Sequence, residues 1–81
     1  MSKQYRFEAV LKINNGRKFG ENAMPSLLGG FTKNDRFRLS ARIKDEGMRI
    51  HIKATDISML HSVMNTAIST IKSLEMIDKY E

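Results

Sequence analysis

The chain has 81 residues, 41% of them apolar, carries a formal net charge of +5, and contains no cysteine. That size accommodates a single domain over residues 1–81 with a modest core, and the apolar share is too high for a disordered chain. Disulfides, thiol catalysis and cysteine-held zinc are excluded together. No run of about 18 apolar residues is present to span a membrane, and the polar N-terminus does not read as a secretory signal, so a cytoplasmic location is expected. The positive charge points to an acidic partner, nucleic acid ahead of membrane.

Tyr5, Phe7, Ala9, Leu11 and Ile13 alternate with Arg6, Glu8, Val10 and Lys12, the period of a half-buried strand. Asn14, Asn15 and Gly16 end it with residues that tolerate positive φ. Phe19, Ala23, Met24, Leu27 and Leu28 follow at helical spacing, with Pro25 among them. A helix beginning at Lys18 places Pro25 inside and loses a hydrogen bond; one capped by Asn22 places it in the first turn. Gly29 and Gly30 stop the helix in either case.

Phe37, Leu39, Ala41 and Ile43 alternate with Arg38, Ser40, Arg42 and Lys44 as a second strand. After Asp45-Glu46-Gly47, a third strand carries Met48, Ile50, Ile52 and Ala54 on its apolar side. Facing residues of a hairpin share a side, so their numbers must sum to an odd value. That parity selects a two- or four-residue loop containing Gly47, and pairs Lys44 with Arg49, Arg42 with His51, and Ser40 with Lys53. Thr55 or Asp56 then caps a long helix whose core stripe reads Ile57, Leu60, Met64, Ala67, Ile71 and Leu74. The expected fold is therefore an α+β two-layer sandwich of β-α-β-β-α order. Its three-stranded antiparallel sheet has the order 1-3-2, and both helices cover one face.

No enzyme signature emerges. The nine acidic residues are scattered, His51 lies on the polar face of a strand, His61 lies in the long helix without an obvious acidic orienter, and the glycines match no phosphate-binding loop. No metal ligand set and no cofactor is expected. Two other features stand out. Arg36, Arg38, Arg42, Lys44, Arg49 and Lys53 project from the hairpin's polar side with no acidic residue among them, a candidate contact for RNA phosphates. Met59 and Val63 lie off the core stripe of the last helix and, with Met24, Leu27 and Leu28, are candidates for contact with another protein.

At the strand-to-helix junction, Ile52-Lys53-Ala54-Thr55-Asp56-Ile57-Ser58, followed by Leu60, Asn65, Ile68 and Ile71, resembles a known C-terminal signature. It is that of the small dimerisation subunit of the KEOPS complex, also called EKC. Ser26-Leu27-Leu28 sits where that family has serine or alanine and two leucines. The resemblance implies a homodimer that performs no chemistry and docks by its two helices onto the threonylcarbamoyltransferase subunit, which carries the metal and nucleotide. A kinase-like ATPase and a further small subunit complete the family's complex, which installs threonylcarbamoyladenosine beside the anticodon of tRNA. Carried over by position, Met24, Leu27, Leu28, Met59 and Val63 become the docking residues, and the edge strands become the dimer contacts. His61 and Ser69 stand where the family often has arginine, which weakens a tRNA contact by the last helix. The other reading is an independent small RNA-binding domain that uses the basic sheet face.

Overall fold

The three alternating stretches form one antiparallel sheet in the computed structural model, which describes residues 5–31 and 35–79. The elements are β1 (Phe7–Ile13), α1 (Arg17–Gly29), β2 (Phe37–Lys44), β3 (Gly47–Ala54) and α2 (Ile57–Lys79). The sheet order is β1-β3-β2, as the alternation requires, with β3 central and both neighbours as edges. Met48, Ile50, Ile52 and Ala54 of β3 are buried beneath the helices, whereas the matching residues of β1 and β2 are half-buried, except Phe7, which is exposed. Leu27, Ile50 and Ile52 are the largest side chains wholly removed from water. Each such burial contributes about 1.5–3 kcal/mol.

The hairpin turn is tighter than the sequence pairing supposes. Lys44 faces Gly47, so Asp45 and Glu46 alone form the turn, and Arg42 faces Arg49 rather than His51. Asp45 takes the left-handed conformation at φ 53°, which aspartate tolerates and short hairpin turns demand. Gly47 belongs to β3 instead of the loop, for a reason found on β1. A Cβ at Gly47 would lie 1.8 Å from the carbonyl oxygen of Ile13, so only glycine lets the end of β1 close on β3.

α1 starts at Arg17, so Pro25 lies inside the helix. Proline has no N–H for the Glu21 carbonyl, a cost of about 3 kcal/mol in an isolated helix. Phe19, Ala23 and Leu27, all buried against the sheet, offset it. The Gly30 N–H closes the helix on the carbonyls of Ser26 and Leu27 at 3.1 and 3.3 Å.

Asp56, not Thr55, caps α2: its Oδ1 accepts the Met59 N–H at 2.8 Å. The buried line of α2 runs through Leu60, Val63 and Ala67, while Ile57 is 59% exposed. Successive helical residues are about 100° apart, and the stripe expected from spacing is turned by less than half that step toward Val63. Leu60, Ala67 and Leu74 fit both stripes; Ile57, in the first turn beside the cap, lies largely outside the core.

Candidate functional site

The outward face of the sheet is assembled by register. Three rows cross it from β1 through β3 to β2: Glu8–Lys53–Arg38, Val10–His51–Ser40, and Lys12–Arg49–Arg42. The last row sets three cations on three adjacent strands. Directly opposed like charges cost about 0.2–1 kcal/mol per pair, and this row contains two such pairs. Among the described residues, no carboxylate forms an ion pair with Lys12, Arg42 or Arg49. Lys12 enters the site from β1, the edge strand that pairs with β3 opposite β2.

The other basic residues are differently placed. Arg36 turns away from the sheet face and pairs with Asp56 at 3.0 Å, fastening the start of β2 to the cap of α2. The Thr55 N–H donates to the Arg36 carbonyl at 2.9 Å across the same junction. The Met59 N–H, and after it the Arg36 guanidinium, hold the Asp56 carboxyl below its ordinary value. Arg38 donates to the Tyr5 hydroxyl at 3.3 Å and lies over that ring, 5.6 Å from its centre, and this engagement raises its already high pKa. Tyr5 in turn donates to the Asp35 carbonyl at 3.1 Å. Arg36 and Arg38 are thus held by intramolecular contacts, while Arg42, Lys44, Arg49 and Lys53 keep outward positions on the sheet.

The expectation of a face without acid is corrected by β1, which contributes Glu8. Its carboxylate contacts His51 Nε2, and that hydrogen bond holds the Glu8 carboxyl below the usual range. Two strands separated by more than 30 residues supply this pair, so no local spacing announces it. Ser40 stands opposite His51, which brings serine, histidine and glutamate onto one row and its neighbour. No hydrogen bond joins the Ser40 hydroxyl to His51, and the group lies on a surface open to water. The arrangement does not activate the serine. Among the described residues, no group of three histidines or carboxylates could hold a metal ion.

The helical layer offers a second surface. Of the expected docking residues, Leu27 is wholly buried and Val63 is 4% exposed, both within the chain's own core. The placement of these two as free contact residues is corrected accordingly: α1 faces Leu27 inward, and the turn of α2 does the same for Val63. Met24 and Met59 are half-buried, and Leu28 is 44% exposed. Ile57, Ile68, Met76 and Ile77 are each more exposed than any of them, Leu28 included. Ile57 and Ile68 are eleven residues apart, three turns of helix, and therefore lie along one side of α2.

A groove of 720 Å³ follows the free edge of β2, with Leu28, Phe31 and Phe37 on its apolar side and Arg38, His51 and Lys53 on the other. Phe31 and Phe37 meet edge to face there, 5.8 Å between ring centres. No helix among the described residues is long and apolar enough to cross a membrane. Protein-family models, curated proteins and solved structures give no match to this chain.

Proposed function

We propose that the chain is a non-catalytic scaffold subunit of the KEOPS type, acting in the cytoplasm. In this reading it forms a homodimer and docks by its helices onto a threonylcarbamoyltransferase subunit, supporting threonylcarbamoyladenosine formation in tRNA. The observation that carries the reading is the apolar surface that the helices leave in water: Leu28 on α1, and Ile57, Ile68, Met76 and Ile77 on α2. Apolar surface gathered on one side of a helix, as Ile57 and Ile68 are, marks contact with another protein. The strand order adds support, because it gathers both helices on one side and leaves β1 and β2 as edges with unpaired main-chain groups. A second copy adding to an edge would use those groups. The role asks for no chemistry from the chain itself.

Co-expression with the transferase subunit tests the assignment. The wild-type chain is expected to co-purify with the transferase and to scatter light as a dimer when alone. Ile68→Glu, on an exposed position, is expected to fold normally and lose the transferase. A native-like complex formed by that variant overturns the docking surface, and a monodisperse monomer overturns the dimer.

A further inference from the structure

We propose that the outward face of the sheet binds the phosphate backbone of RNA, centred on the Lys12–Arg49–Arg42 row. The inference goes beyond the scaffold reading and does not depend on it. Adjacent strands lie about 4.8 Å apart, so the three side chains of the row leave the sheet side by side. Lys44 extends the positive surface past the row at the end of β2, and Lys53 extends it about 13 Å along β3 from Arg49. Long cationic side chains rooted in a rigid sheet can each meet a separate phosphate and release its counterion. Alone, the fold gains nothing from setting like charges opposite one another; a polyanion laid across the row turns that repulsion into attraction.

The surroundings of the row select the partner. Of the large apolar side chains exposed in the described residues, Val10 alone is on this face, so the surface lacks the anchors that a membrane-binding face inserts. A protein partner would need a buried aromatic or aliphatic centre, and the row offers charge without one. No aromatic side chain belongs to the three rows of this face, and the Tyr5 ring beside it carries Arg38 over one side. Backbone contact without base reading follows, and with it weak sequence preference.

Fluorescence anisotropy of the full chain with a labelled RNA hairpin and with labelled poly(U) tests this over a range of salt concentrations. The row variant Lys12→Ala/Arg42→Ala/Arg49→Ala is compared with Arg17→Ala/Lys18→Ala/Lys72→Ala, which removes equal charge from the helices. The row variant is expected to bind about tenfold or more weakly at low salt, and its salt slope to fall by about 2–3, close to one per lost phosphate contact. The helix variant is expected to change affinity by less than about threefold, the remaining effect of net charge. Equal loss in both variants overturns the proposal, as does failure of the wild-type chain to bind either RNA at low salt. Row-dependent binding to phosphatidylserine vesicles without binding to RNA overturns it in favour of a membrane surface. Thermal melting checks that each variant folds; if the triple variant does not, Arg42→Gln replaces it, with an expected loss of about threefold.

Discussion

Val63→Asp is expected to unfold the chain rather than to create a soluble, docking-deficient subunit. Val63 is 4% exposed, on the line of α2 that also buries Leu60 and Ala67. Loss of the valine removes about 1.5 kcal/mol or more of burial. An unpaired carboxylate in the same place costs several kcal/mol more. A chain of this length has roughly 4–12 kcal/mol of total stability, so the two terms together remove most or all of it. Val63→Ala separates the terms: its loss of two methyl groups, with the space left behind, is expected to cost about 2 kcal/mol. For a domain of this size that lowers the melting temperature by about 8–16 °C. Ile68→Ala, on the exposed side of the same helix, is expected to stay within about 0.5 kcal/mol of wild type. Urea titration followed by far-ultraviolet circular dichroism, with unchanged slope, gives the values for Val63→Ala and Ile68→Ala on one scale, and Val63→Asp is expected to show no folded baseline. Cooperative unfolding of Val63→Asp at the wild-type midpoint would show that α2 presents Val63 to water, and the packing described here would be wrong.

Two further expectations concern the joints of the fold. Gly47→Ala drives a Cβ into the Ile13 carbonyl, and the main chain there has no flexible end to yield. The variant is expected to release the end of β1, seen as faster amide exchange at Leu11 and Ile13, while the β2–β3 hairpin keeps its protection. Asp56 and Glu8 both have folded-state values below their ordinary ones of 3.8 and 4.5, so the stability they contribute is present above those values and is lost as pH falls through the lowered ones. Asp56→Asn keeps a capping side chain but not the charge. Its melting temperature is expected to lie below wild type at about pH 6 and to converge on it as the pH falls through the lowered Asp56 value. A constant gap across that range would rule out the Arg36–Asp56 linkage.

The strands were legible in the sequence because each alternates apolar and polar residues without interruption, and parity alone put the apolar sides together. The pairing itself was legible only to within one step. Loops of two and four residues satisfy the same parity, and the choice between them lay in the left-handed Asp45 and in the approach of Ile13 to Gly47. On α2, Ile57 and Val63 could each extend a row through Leu60 and Ala67, and spacing does not say which end of a helix overhangs its sheet. The basic face was visible as a charge run on two strands. Its third member, Lys12, and its acid, Glu8, come from a strand on the far side of α1, and the diversion of Arg36 to Asp56 depends on the helix cap. Contacts made between distant segments leave no local period to read.

The central place of β3 also orders the assembly of the chain in time. The hairpin that β3 makes with β2 closes over two residues and can form locally, within microseconds. The partnership with β1 must first close a loop containing the whole of α1 and β2. Until that happens, one flank of β3 is an open template for any extended chain nearby. A nascent polypeptide passes through this exposed interval before it is complete, with Ile50 and Ile52 still uncovered on the side that the helices later occupy.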